Sequence, residues 1–236
     1  MRIPLSPLGA REMWLITIVV GLPAVGAFIG GAKGCAWCWP VAIVLAVVWL
    51  GGLMFFRDPE RPTPSDPGVF VAAADGVVTE TVTVENNPWV GGPATRLSVF
   101  LSVFNVHINR SPCSGVVRTV EYQPGRFLDA RDPKCGALNE ANTVVIEPDE
   151  PGIGKVVVRQ IAGKIARRIV CTVKPGDRVE RGQRIGLIKF GSRTELIIAG
   201  QGTCEPAVKV GDKTWGAVTV MARRTGVAAG ATEASR

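Results

Sequence analysis

Val173-Lys174-Pro175-Gly176-Asp177-Arg178-Val179-Glu180-Arg181-Gly182-Gln183-Arg184-Ile185-Gly186-Leu187-Ile188 reads as a strand, a glycine turn and a strand that folds back on the first. Gly176 and Asp177 suit that turn, since glycine accepts a positive φ and aspartate bonds the local backbone with its own carboxylate. The opening returns thirty-five residues on as Val208-Lys209-Val210-Gly211-Asp212, so the turn is a unit used twice. Working outward, runs rich in Val, Ile and Thr lie between turn residues at 77–84, 96–103, 115–122, 143–146, 155–161, 185–190 and 218–221. Segment 162–170 fits a short helix or a further strand. The expected fold is mainly β (α+β): a β-sandwich or barrel-like domain over residues 68–225, without a glycine-rich phosphate loop or a long amphipathic helix.

Upstream the composition changes. Apolar residues make up 47% of the chain against 20% charged, and many are concentrated at the start. No charged residue occurs from Met13 to Ala32 or from Gly34 to Phe56, with only Lys33 between. Each run meets the requirement of roughly 20 residues for a membrane-spanning helix. The first is too long for the apolar part of a cleaved signal peptide, and a second follows at once. A two-helix transmembrane hairpin over 1–56 is expected, with helices at about 13–32 and 34–56 and Pro23 able to kink the first. Arg2 and Arg11 precede it and Arg57 and Arg61 follow, which places both ends on the cytoplasmic side of the cell membrane. Trp14, Trp37 and Trp39 fit interfacial anchoring, whereas Trp49 sits deep. Residues 57–67, charged and proline-rich, read as a linker, and the Ala- and Gly-rich 226–236 as a flexible tail. The net charge of +7 comes without a basic–aromatic strip for nucleic acid, so it reads as attraction to anionic lipid headgroups.

His107 is the single histidine, in Phe104-Asn105-Val106-His107-Ile108-Asn109-Arg110. Zinc sites built on two histidines are thereby excluded. Asp75 lies in Ala74-Asp75-Gly76, which taken alone is an ordinary hairpin turn. Gly191-Ser192, in Lys189-Phe190-Gly191-Ser192-Arg193, follows directly on a strand. A Gly-Ser bond there is a turn, and it is also what an intramolecular N→O acyl shift needs: a hydroxyl beside a carbonyl whose residue has no Cβ. Of the six cysteines, Cys35 and Cys38 form a CxxC without a second pair or a nearby histidine, and Cys113, Cys135, Cys171 and Cys204 read as small buried residues.

Several of these pieces stand in one order. They are Phe56-Arg57-Asp58-Pro59, Ala74-Asp75-Gly76, Phe100-Leu101-Ser102 leading to His107, Pro112, and Pro124-Gly125-Arg126-Phe127 with Ala130. Asn139-Glu140, Arg159-Gln160-Ile161-Ala162-Gly163, Ala166-Arg167-Arg168-Ile169-Val170, Gly176-Asp177, Gly182-Gln183 and Phe190-Gly191-Ser192 follow. In this the chain resembles the short-form phosphatidylserine decarboxylases, from the anchor almost to the C-terminus. The resemblance implies a proenzyme that cuts itself between Gly191 and Ser192. Ser192 becomes a covalent pyruvoyl group, and the large chain 1–191 stays with the small chain 192–236 as a heterodimer. It implies decarboxylation of phosphatidylserine to phosphatidylethanolamine through a Schiff base on that pyruvoyl, without a metal. His107 would be the base and proton donor, and Asp75 its orienting carboxylate. A homo-oligomer stays open, as does the nature of the lipid tails, acyl or isoprenoid.

Longer members of that family carry two histidines three apart; here His107 matches the first and Arg110 stands in the place of the second. The Asp75–His107–Ser192 pairing is therefore open. Arg126, Lys134 and Arg167 are candidate phosphate partners, each equally a plain surface charge. Two rival readings stand beside the enzyme. The glycine turns are those of lipoyl- and biotin-carrier domains, so a membrane-tethered carrier or adaptor is one. A serine hydrolase using Asp75, His107 and Ser192 is the other, though Ser192 lacks a Gly-x-Ser-x-Gly elbow.

Overall fold

The computed structural model describes residues 4–164, 168–189, 191–200 and 202–225. The chain divides after Glu60 into two compact units. The first holds two apolar helices, Pro7–Ala32 and Cys38–Phe55, each long and apolar enough to cross a membrane. Ser6 caps the first by accepting from Leu8 N at 3.3 Å. From Thr17 to Gly21 the helix widens into a π turn just ahead of Pro23, which absorbs the proline's missing N–H donor. Gly34, at φ +101°, stops the first helix, so the second begins at Cys38 and not at 34. Cys35 and Cys38, in the connecting turn, are joined as a disulfide. Trp49 packs against Gly21 and Trp39 against Gly31, the close approach that small residues allow between apolar helices. Trp49 Nε1 also donates to Thr17 Oγ1 at 3.0 Å, a polar partner that explains a tryptophan so far from the helix ends. Trp14, Val19 and Val47 turn outward, each more than 60% exposed.

The second unit is built of antiparallel strands. In chain order they are β1 (Val69–Val71), β2 (Gly76–Asn87), β3 (Gly92–Leu101), β4 (Ile108–Arg110), β5 (Gly115–Gln123), β6 (Ala141–Pro148) and β7 (Val156–Ala162). Then come β8 (Ile169–Cys171), β9 (Arg178–Val179), β10 (Arg184–Ile188), β11 (Ser192–Ala199), β12 (Cys204–Pro206), β13 (Lys213–Thr214) and β14 (Val220–Arg224). A curled eight-stranded sheet runs β13-β2-β3-β11-β7-β6-β5-β9, and two three-stranded sheets run β1-β14-β12 and β4-β10-β8. The main core lies on one face of the large sheet, with Phe70, Leu97, Leu101, Ile146, Ile185 and Met221 nearly or fully buried in it. The mainly β fold is therefore as expected, and every expected run contains a strand. Segment 162–170 yields the end of β7 and the start of β8, while residues 165–167 lie outside the described ones, as does the tail 226–236. A short helix at Cys135–Leu138, the long strand β11 and the short strands β1, β4, β12 and β13 fall outside the expected runs.

The repeated turn extends into a pseudo-twofold. Lys174 N donates to Asp177 Oδ2 at 2.9 Å and Lys209 N to Asp212 Oδ2 at 3.0 Å. Gly176 N and Gly211 N donate to Val117 O and Val78 O, both at 2.8 Å. β9 then pairs β5 as β13 pairs β2, and β4-β10-β8 matches β1-β14-β12 down to an irregularity at the corresponding step. The halves bond reciprocally, Val71 N to Pro112 O at 3.0 Å and Arg110 N to Ala73 O at 2.9 Å.

Candidate active site

Ser192 opens β11, the strand flanked by β3 and β7, where Leu101 and Ala162 stand opposite it. Being hydrogen-bonded on both sides and covered on both faces, β11 is buried along its whole length. Ser192 is 0% exposed and, among the described residues, its Oγ has no hydrogen-bond partner. A buried hydroxyl without a partner is costly, and it marks an atom held for something other than stability. The preceding Gly191 has φ +59°, a conformation that suits a residue without a Cβ. Phe190 lies outside the described residues.

His107 reaches this peptide from the loop between β3 and β4. The loop is folded by Asn105, whose Oδ1 accepts from Ser102 N at 2.9 Å and Ser102 Oγ at 2.8 Å. That turn aims the Asn105 carbonyl at His107 Nδ1, 2.9 Å away. A carbonyl only accepts, so Nδ1 carries the proton and Nε2 keeps a lone pair. Nε2 accepts from Gly191 N at 3.2 Å. The imidazole is fully buried, and its own carbonyl accepts from Ile188 N at 3.2 Å, tying the loop to the strand that leads to the Gly-Ser bond. Gly163 closes the other side: a Cβ there would meet the Gly191 carbonyl oxygen well inside van der Waals contact and stand 3.2 Å from Ala130 Cβ.

The structure thus brings His107, Gly191 and Ser192 together. Asp75 is otherwise engaged. Arg61 grips its carboxylate with two bonds of 2.5 and 2.7 Å, and Gly216 N donates to Oδ1 at 2.8 Å. Both partners of this ion pair are largely buried. Arg110, in the place of the second histidine, sends Nη1 to Gly182 O at 3.0 Å. Arg126 and Lys134 are exposed, and Arg167 lies outside the described residues. Sequence reasoning missed a buried amide chain beside the site. Asn142 Nδ2 donates to Gln160 Oε1 at 3.0 Å, Gln160 Nε2 to Asn109 Oδ1 at 2.9 Å, and Asn109 Nδ2 to Thr194 Oγ1 at 3.0 Å. It ties the strand after His107 to the strand of Ser192. Its only trace in the sequence is polar residues inside otherwise apolar runs.

The other face of β11 carries ions. Arg193 Nη2 pairs with Glu80 at 2.6 Å and Glu195 at 3.1 Å, and Arg96 Nη2 with Glu80 at 3.0 Å. Desolvation works to raise Glu80, but Arg96 and Arg193 outweigh it and hold the carboxyl below its ordinary range. Burial pulls Arg159 below the usual guanidinium value. Burial also pushes the Cys113 thiol up to about 12, which leaves it inert.

Residues 53–222 match the family model described as phosphatidylserine decarboxylase. A phosphatidylserine decarboxylase proenzyme of Symbiobacterium thermophilum is 43% identical over 92% of this chain and 96% of its own. Those of Polynucleobacter asymbioticus and Nitratidesulfovibrio vulgaris are 39% and 41% identical, covering 94% and 87% of this chain and 97% and 93% of theirs.

Proposed function

The chain belongs to the phosphatidylserine decarboxylase family, and on that premise we propose that it cuts itself between Gly191 and Ser192 and then decarboxylates phosphatidylserine to phosphatidylethanolamine. One observation carries the proposal. The lone pair of His107 Nε2 stands 3.2 Å from Gly191 N, beside a buried Ser192 hydroxyl with no partner of its own among the described residues.

The chain's own residues supply each step of the cut. When Nε2 releases the Gly191 N–H it takes the proton of Ser192 Oγ, and the oxygen attacks the Gly191 carbonyl carbon. The C–N bond to Ser192 breaks, its nitrogen is protonated, and an ester joins Gly191 to Ser192. Loss of the Ser192 α-proton then expels Gly191 as a carboxylate, and water replaces the nitrogen, leaving as ammonia, to give a pyruvoyl group at position 192. The site suits that group: the glycine yields at φ +59°, and the buried end of β11 excludes bulk water. Once formed, a pyruvoyl carbonyl supplies an electrophile for the substrate amine and an electron sink for decarboxylation. His107 is then placed to return a proton to the product carbon. Asp75, bound by Arg61 and Gly216, acts as a positioning residue.

The 45-residue small chain stays bound to the large chain because β11 is paired over its length with both β3 and β7. The apolar hairpin holds the enzyme at the membrane where its lipid resides. Basic residues flank its two ends, and the disulfide sits in the opposite turn, which fits an oxidising outer side and a cytoplasmic catalytic unit.

The test is the intact mass of the purified protein beside Ser192→Ala. The expected result is two chains split after Gly191, the smaller blocked at its N-terminus, with the variant uncut. A folded, active wild type of one piece would sink the mechanism and favour a carrier. Labelling of Ser192 by a fluorophosphonate would favour a hydrolase.

A further inference from the structure

On the face of the large sheet opposite His107 lies a cavity of about 370 Å³, walled in part by Arg96, Arg131, Arg159, Arg193, Glu80 and Glu195. Arg131 is neutralised outside it by Asp129 at 2.7 Å. Of the rest, three guanidiniums face two carboxylates, which leaves one positive charge uncompensated. Glu195 acts on Arg159 as well as pairing with Arg193, and Arg159 is the one of the three without an ion pair of its own among the described residues. Arg193 and Arg96 share Glu80, and Arg193 also takes Glu195. Among the described residues, Arg159 makes a single side-chain hydrogen bond, 3.0 Å to the neutral Gln123, and lies 4.7 Å from the centre of the Trp89 ring. Arg159 is only 7% exposed and its Nε, like those of Arg96 and Arg193, has no hydrogen-bond partner. Buried cations are normally matched by a counter-charge. Here the position that would hold one is a cavity open on one side.

We infer that this cavity is a binding site for a singly charged phosphate group, held chiefly by Arg159. Guanidinium prongs match phosphate oxygens in pairs. Ala130, which lines the cavity, lies 3.2 Å from the point where a Gly163 Cβ would stand, and the Gly191 carbonyl crowds the same point from the other side. Ala130 therefore stands between the cavity and the bond to be cut. In a serine phospholipid the amine and the phosphorus are four bonds apart, so a headgroup phosphate seated here reaches residue 192 only by passing its amine around the Ala130 side chain. The same chemistry would accept free inorganic phosphate. The headgroup version rests on the decarboxylase reading; the anion site itself does not.

The experiment uses the full chain in detergent, with inorganic phosphate and glycerophospho-L-serine as probes. Binding of each is read from the thermal midpoint at constant ionic strength, and phosphatidylserine turnover is read as KM against kcat. Arg159→Gln is compared with Arg178→Gln, the same charge change at an exposed pair with Asp149. Arg159→Gln is expected to weaken both probes by about tenfold or more, with Arg178→Gln near wild type. A matching rise in KM at unchanged kcat identifies the occupant as the headgroup. Loss of phosphate binding with KM unchanged identifies free phosphate. Equal affinities in wild type and Arg159→Gln overturn the site, as does failure of both probes to bind; complete self-cleavage in the same samples would show the decarboxylase reading still standing. Should Arg159→Gln not fold, phenylglyoxal mapping of the wild type decides: phosphate must shield Arg159, and modification regardless of phosphate refutes the site.

Discussion

Replacing Gly163 by alanine adds one methyl group at the place where the Gly191 carbonyl oxygen rests. The new Cβ would stand 3.1 Å from the Gly191 carbonyl carbon and much nearer its oxygen, with Ala130 Cβ at 3.2 Å on the other side. Ordinary contact between such atoms is near 3.5 Å, so the oxygen must retreat by roughly 1 Å. The methyl has no soft neighbour to push, because both crowding groups are backbone or Cβ. The carbonyl that must yield is the one Ser192 Oγ has to attack, and a displacement of that size costs about a hundredfold in a reaction set by orientation. Self-cleavage of Gly163→Ala should therefore slow by about two orders of magnitude. A pulse of cell-free synthesis followed by gel separation of precursor and cut chains gives the rate directly. Far-ultraviolet circular dichroism and the thermal midpoint report whether the sheet has formed. A folded variant that cuts at the wild-type rate would refute the claim that Gly163 positions the scissile carbonyl.

Two further outcomes follow from the ion pairs. Arg61→Met and Asp75→Asn each break one buried pair and should each cost about 3 kcal/mol, with the double variant losing less than the sum. Both should cut to a similar extent, and an uncut Asp75→Asn beside a fully cut Arg61→Met would return Asp75 to a catalytic role. Glu80 is depressed in the folded state below its ordinary 4.5, so its contribution is complete above that value and disappears as pH falls through the folded-state value. Glu80→Gln should then be less stable than wild type in urea near pH 7, and the gap should narrow as the pH falls below the ordinary carboxylate value of 4.5. A gap that persists in acid would contradict the assigned sign.

The sequence made the turn units, the two apolar helices and most strands legible, because each rests on a local pattern: glycine and aspartate at a fixed step, an uncharged run, β-branched clusters. It hid β11. Ser192-Arg193-Thr194-Glu195 looks like a polar loop, and the apolar part that follows is only Leu196-Ile197-Ile198-Ala199. The structure shows why a central strand has such a start. Ser192 and Thr194 face His107 and the amide chain, while Arg193 and Glu195 point into the ion cluster: Thr194 and Arg193 find partners on distant strands, Arg193 and Glu195 also pair with each other, and the Ser192 hydroxyl has none among the described residues. No periodicity announces that, since the partner of Thr194 is 85 residues away and the Glu80 partner of Arg193 is 113 residues away. Gly191-Ser192 and His107 were legible as residue types suited to an acyl shift, but their meeting depended on the fold of the Asn105 turn.

The pseudo-twofold accounts for the place of Asp75, which the family resemblance implies to be the orienting carboxylate and whose carboxylate is held by Arg61 and Gly216. Ala74-Asp75-Gly76-Val77-Val78 corresponds to Cys113-Ser114-Gly115-Val116-Val117 in the other half. Asp75 Oδ1 accepts from Gly216 N at 2.8 Å, and Ser114 Oγ accepts from Arg181 N at 3.1 Å, the equivalent amide two residues beyond the paired strand. The same closure thus tolerates a serine, so hydrogen bonding to the turn does not require a carboxylate. What a carboxylate adds at 75 is a charge for Arg61, the first residue of the catalytic unit after the anchor. The partner of His107 under the same operation is Gly68: its carbonyl accepts from Arg224 N at 2.7 Å, as that of His107 accepts from Ile188 N. One framework therefore occurs twice, and only the half that places a histidine at this position runs on through β10 to Gly191 and Ser192. The proposed chemistry draws on His107 and the Gly-Ser bond, which one half alone carries, whereas the turn closure made by Asp75 recurs in the other half through Ser114.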